Sequence, residues 1–342
     1  MSGTRMDIEV RELRLKHSWT ISRGSADVKH NVFVRLERYG IVGEGEAAPN
    51  TRYDETADST VAMMESARSL IEGADFWHFE PLGRAIAALG KGQTAAKAAL
   101  DMAVLDWVGK AAGLPLYRLW GLDPAAAPRT TYSIGIDSLD KVREKVRESA
   151  IYPLLKIKVG RDDTRAIMEA VRAETDRVVR IDANEAWTDR EEALREITWL
   201  AGHNVEFVEQ PMPAARADDI AWLRERSPLP LIADESVKSA ADIPSLAGVF
   251  DGINIKVMKS AGLQEARRMV AMARAVGLKV MLGCMVESAL AITAAAHLAP
   301  AVDYADLDGN LLLADDPYVG ATVEDGYLRL PDGPGIGAAP RG

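Results

Sequence analysis

Lys158, Asp182, Glu209, Asp234 and Lys256 each stand at the end of a short apolar run. The runs are LLKIKVG (Leu154 to Gly160), VVRIDANEAW (Val178 to Trp187), EFVEQP (Glu206 to Pro211), PLIADES (Pro230 to Ser236) and GINIKVMK (Gly252 to Lys259). They begin about 21 to 28 residues apart, room for one strand, one helix and two loops per unit. In a β/α barrel the C-terminal strand ends meet at one mouth. Three carboxylates flanked there by two lysines suit metal-assisted proton abstraction. Asp182, Glu209 and Asp234 offer hard oxygen donors, which favours Mg²⁺ over zinc. None of the five histidines falls on these strand ends. Asn184 and Glu235 are candidates to support the ligands.

A lysine acts as a base only when neutral. Burial, a like charge on Lys156 and a nearby cation are expected to lower the pKa of Lys158. Residues two apart on a strand face one way, so Lys156 and Lys158 both point inward, as do Asp182 and Asn184. Asp306 and Asp308 join them if the strand in DYADL (Asp303 to Leu307) persists. Lysines on opposite walls place one base on each face of a planar intermediate, as racemisation or epimerisation requires.

The chain is expected to divide near residue 122. Residues 1–122 read as an α+β capping domain, joined by the tail 318–342, and residues 123–317 as the barrel. Ile8 to Leu15 and Asn31 to Tyr39 alternate as half-buried strands. HSWTISRGSADVKH between them is polar, contains glycine and reads as a mobile loop. Helices are predicted over Thr56 to Glu72, Trp77 to Ala88 and Gln93 to Ala112, the last nearly all small and apolar and so buried. Thr130 to Gly135 opens the strand–helix repeat, and Lys279 to Met285 and Asp303 to Leu307 supply its last strands.

The 342 residues are 48% hydrophobic and 27% charged, with a formal net charge of −10. That charge argues against nucleic acid or an anionic membrane as partner, and leaves small molecules. MSGTRMDIEV lacks the apolar core of a signal peptide, and no apolar run is long enough to span a bilayer. The single cysteine, Cys284, fits a reducing cytoplasm.

The K-x-K, D-x-N, E-Q-P, A-D-E-S and N-I-K segments, in this order and spacing, resemble the enolase superfamily, muconate-lactonising subgroup. The resemblance extends to ALDMAVLDWVGKAAGLPLYRLWG and the terminal GPGIG. It implies a (β/α)₇β modified TIM barrel under an α+β N-terminal cap, with Asp182, Glu209 and Asp234 on Mg²⁺ and Lys158 and Lys256 as the acid/base pair. Within the subgroup the chain is most similar to dipeptide epimerases of the L-Ala-D/L-Glu kind. Asp306 and Asp308 resemble the D-x-D that holds a dipeptide's ammonium group, and Arg23 in SRGS the arginine that binds a glutamate side chain. Thr131, Lys156 and Cys284 match further substrate-contacting positions. Asn50 and Thr51 depart from the loop expected of close Ala-Glu epimerases. The activity implied is inversion of the C-terminal residue's α-carbon, in cell-wall peptide metabolism. Alternatives are an N-acylamino acid racemase, an o-succinylbenzoate synthase, a Schiff-base lyase using one of the lysines, or a barrel kept for binding alone. Barrels of this class often form homo-oligomers; no segment here names an interface.

Overall fold

A computed structural model of the protein describes residues 3–21 and 24–342. Three antiparallel strands open the chain: β1 (Arg5–Ile21), β2 (Gly24–Arg38) and β3 (Ile41–Ala47), in the order β1-β2-β3. The described residues of the stretch expected to be a mobile loop, 17–21 and 24–30, instead form the far end of the β1–β2 ladder. Trp19 pairs with Ala26, Thr20 with Ser25 and Ile21 with Gly24, after a register shift between Arg14 and Trp19. Its polar residues serve the ladder: the Thr20 and Ser25 hydroxyls lie 2.9 Å apart, and Thr20 O accepts from Ile136 N across the barrel mouth.

Helices α1 (Ala57–Ser66), α2 (Arg68–Gly73), α3 (Phe79–Ala87), α4 (Thr94–Ala112) and α5 (Leu116–Leu119) follow. The single helix expected over Thr56 to Glu72 is two, broken at Ala67. The small side chains of α4 have a geometric cause. Its backbone lies so close to β3 that a Cβ on Gly43 would sit 2.0 Å from Ala103 O, and one on Gly45 2.1 Å from Ala99 O. The other face of α4 meets the barrel. Asp101 accepts from Leu263 N at 2.7 Å and from Gln264 N at 3.2 Å, satisfying free backbone amides at the start of a barrel helix, and from Gln264 Nε2 at 2.5 Å. Gly45→Val is therefore expected to force β3 from α4 and cost about 3 kcal/mol; a chemical-denaturation midpoint equal to wild type would contradict this packing.

The barrel strands are β4 (Tyr132–Ile134), β5 (Leu154–Lys158), β6 (Val178–Asp182), β7 (Val205–Glu209), β8 (Leu231–Ala233), β9 (Gly252–Lys256), β10 (Lys279–Gly283) and β11 (Tyr304–Asp306). Helices α6 (Leu139–Glu148), α7 (Thr164–Arg172), α8 (Arg190–Ala201), α9 (Ala217–Arg224), α10 (Ile243–Leu246), α11 (Leu263–Ala275) and α12 (Ala289–Ala296) alternate with them. The strands are parallel and neighbour one another in chain order, giving the expected (β/α)₇β barrel. Their branched apolar residues, such as Ile157, Ile181 and Ile255, are fully buried, as strands covered on both faces require. Side chains span the seam between β11 and β4: Thr130 Oγ1 accepts from Leu307 N at 2.8 Å, and Ser133 N donates to Asp308 at 2.5 Å.

Short strands β12 (Tyr318–Val319), β13 (Thr322–Glu324), β14 (Tyr327–Arg329) and β15 (Ala339–Pro340) end the chain. The Tyr318 ring stacks on Phe33 with centroids 5.6 Å apart, and its hydroxyl donates to Glu44 at 3.2 Å. No helix among the described residues is long and apolar enough to cross a membrane.

Candidate active site

Parallel register sets the first row of the site. Lys158 is level with Asp182, and Asp182 with Glu209; on the far side Lys256 is level with Gly283, and Gly283 with Asp306. Asp234 follows β8 directly. Its place is fixed by Gln210, whose Oε1 accepts from Asp234 N at 2.9 Å and from Ser236 N at 3.2 Å. Gln210 (φ 36°), Asn184 (φ 45°) and Glu185 (φ 68°) all adopt left-handed backbone in the loops after β6 and β7. Such conformations cost free energy and persist where surrounding contacts hold them.

Asp182, Glu209 and Asp234 come together with candidate ligand atoms within 4.8 Å of one another. All three are at most 1% exposed. Glu209 Oε1 accepts from Asn254 Nδ2 at 2.7 Å, while Glu209 Oε2 has no aligned hydrogen-bond donor among the described residues. Lys156 Nζ lies 2.7 Å from that oxygen and forms an ion pair with it. Burial, and then the charge of Asp182, push the Glu209 carboxyl up to about 7. Three buried, converging carboxylates, one of them reluctant to ionise without further positive charge, fit a hard divalent cation.

The lysines surround this cluster. Lys158 donates to Asp182, and Lys256 Nζ lies 2.8 Å from Asp234 Oδ2. Their strands, β5 and β9, are four places apart in the eight-stranded order, on opposite walls. Lys156 Nζ lies 3.1 Å from Asp182 and 2.7 Å from Asp306. Burial disfavours the Lys256 ammonium, but Asp234, Glu209 and Asp182 outweigh that and hold its pKa raised. The lowering expected for a base in this site therefore needs a cation to share the carboxylates' charge.

Asp306 ends β11, whereas Asp308 lies beyond it, at the residue preceding a short 3₁₀ turn. The strand does not persist, yet both side chains border one cavity of about 440 Å³ between the barrel mouth and the β1–β2 arm. Lys156, Lys158, Lys256 and Cys284 border it too. Thr131, expected to touch substrate, is fully buried and donates its hydroxyl to Asp306. Cys284 donates to Asp306 O at 3.3 Å, and burial pushes its thiol pKa up. Asn184 Nδ2 donates to Glu235 at 3.3 Å, and Asn184 N to Asp182 at 2.9 Å. Arg23 lies outside the described residues.

Two buried supports were not anticipated from sequence. Lys259 donates to Asp234 O at 2.5 Å and to the Asp234 carboxylate, and Asn254 holds Glu209. Both lie inside GINIKVMK, two residues before and three after Lys256. A second polar residue at strand spacing in an apolar run was the available signal. The cap loop is tied down as well. Arg52 forks onto Glu185 with contacts of 3.1 Å, and Lys238 Nζ lies 5.0 Å from the Tyr53 ring centroid.

Fold and site together define a barrel enzyme class that handles carbon acids beside a carboxylate-bound cation. A family model for the mandelate racemase / muconate lactonizing enzyme N-terminal domain matches residues 5–121, and one for the enolase C-terminal domain-like fold matches residues 138–341. The chain belongs to this enolase superfamily. It is 43% identical over 327 residues to an L-Ala-D/L-Glu epimerase of Bacteroides thetaiotaomicron, covering 95% of this chain and 85% of that protein. It is 43% identical over 331 residues to an L-Ala-D/L-amino acid epimerase of Pedosphaera parvula, covering 94% and 95%. The structure of a dipeptide epimerase from Cytophaga hutchinsonii, complexed with Mg and D-Ala-L-Val, superposes with a TM-score of 0.94 at 27% identity, covering 100% of this chain and 96% of that one.

Proposed function

We propose that the protein is a Mg²⁺-dependent dipeptide epimerase, inverting the α-carbon of the C-terminal residue of an L-Ala-D/L-Glu-like dipeptide. The observation that carries this is one cavity bordered by two opposed lysines, each ion-paired to the carboxylate cluster, and by the Asp306–Asp308 pair. Asp182, Glu209 and Asp234 would hold the metal. Bound there, it supplies positive charge toward the substrate carboxylate and relieves Lys256 of the negative field that retains its proton.

Asp306 and Asp308 grip the substrate's ammonium group and so fix the chain direction of the dipeptide. The α-carbon then lies between Lys158 and Lys256. One lysine removes the α-proton, leaving a planar enediolate, and the other delivers a proton to the opposite face. Lys156, bonded to Asp306 and beside Asp182, adds positive charge near the developing oxyanion. The cap loop held by Arg52 and Tyr53 limits water access. Arg23 is assigned to the substrate's side-chain carboxylate. An Ala-Glu-like substrate suits turnover of murein peptides, and the lone free cysteine supports a cytoplasmic setting.

The test is a dipeptide panel incubated in D₂O with Mg²⁺, with α-deuterium read by mass spectrometry. Incorporation into the C-terminal residue, abolished by EDTA and restored by Mg²⁺, is expected. Exchange that persists without a divalent ion, or exchange only with N-acyl amino acids, would sink the assignment.

A further inference from the structure

Four lysines border the cavity, and three of them face carboxylates: Lys156, Lys158 and Lys256. The fourth, Lys29 on β2, has no acidic partner among the described residues, in a chain of net charge −10. It is only partly exposed. Burial alone lowers its pKa, with no neighbouring charge in opposition. An ammonium drawn out of water without a counterion is unfavourable, and an anionic ligand group relieves that.

The position of Lys29 says which part of a ligand it meets. It pairs across the sheet with Leu13, which packs on Val286 and Leu313. Two residues on, Asn31 Nδ2 donates to Val286 O at 3.1 Å. Lys29 therefore stands over the loop after β10, beside β11, where Asp306 and Asp308 lie. The arm's far end, Ile21, lies instead near Gly160 and Asn184, over β5 and β6. Resting on the dipeptide reading, in which the two aspartates hold the ammonium group, Lys29 borders the first residue of the substrate. We propose that Lys29 reads the side chain of the dipeptide's first residue, favouring an acidic group there and rejecting a basic one.

The experiment compares kcat/KM for α-deuterium exchange with Asp-Glu, Ala-Glu and Lys-Glu in wild type, Lys29→Met and Lys29→Glu, each checked for folding by thermal melting. Wild type is expected to favour Asp-Glu over Lys-Glu by about tenfold. Lys29→Met brings the ratio near one, and Lys29→Glu inverts it. Because each ratio is taken within one protein, a general loss of activity does not mimic the result. A ratio unchanged across the three proteins overturns the role of Lys29. Wild type that exchanges none of the dipeptides overturns instead the reading beneath it, and the inference with it.

Discussion

Lys158→Ala and Lys256→Ala are each expected to lower the rate of epimerisation by about 10²–10⁴-fold, the range for losing a positioned acid or base. Loss of rate alone does not separate a base from a structural cation, since Lys158 is paired with Asp182 and Lys256 with Asp234. The isotopic pattern does. The lysine left in place still faces one side of the α-carbon. Each variant should therefore exchange the α-proton of one epimer, slowly and without inversion, and the two variants should choose opposite epimers. This follows from β5 and β9 being opposite strands of the barrel. Inversion at the wild-type rate in both variants would end the two-base mechanism. Exchange of the same epimer by both would place the lysines on one face.

Asp308→Asn is expected to reduce kcat/KM for dipeptides by about 100-fold, roughly 3 kcal/mol, as for truncating one member of a buried charge pair. Asparagine preserves the acceptor for Ser133 N, so the seam between β11 and β4 should stay intact. Asp306→Asn is the less clean variant, because Asp306 also holds Lys156 at 2.7 Å. Burial and the neighbouring Asp306 charge push the Asp308 carboxyl up to about 7. Its protonated form therefore prevails below that pH and holds an ammonium group poorly. Dipeptide KM should fall as pH rises through about 7 in wild type, and this dependence should vanish in Asp308→Asn. An N-acyl amino acid has no ammonium group, and its turnover should be indifferent to the substitution. Dipeptide turnover unchanged in Asp308→Asn would favour an N-acylamino acid racemase or o-succinylbenzoate synthase.

The barrel strands were legible because parallel strands buried on both faces must be continuous apolar runs, and each charge interrupting one stands out. Lys158, Asp182, Glu209 and Lys256 close their strands as the runs predict, and Asp234 follows its strand by one residue. The β1–β2 arm is not legible locally, because its glycine and polar residues signal a turn. Here cross-strand pairing and the contact of Thr20 with Ile136 supply what local propensity lacks.

By itself the sequence determined the repeating strand–helix unit and the identity of the charged groups at the strand ends. A strand's two-residue period and its apolar content are local properties of the chain. Only the tertiary structure decided that Thr131 donates to Asp306, that Lys259 and Asn254 hold the carboxylates, and that Lys29 borders one cavity with Asp306 and Asp308. Those relations join residues from separate elements, through sheet register and the placement of the arm over the barrel, and no spacing along the chain encodes them.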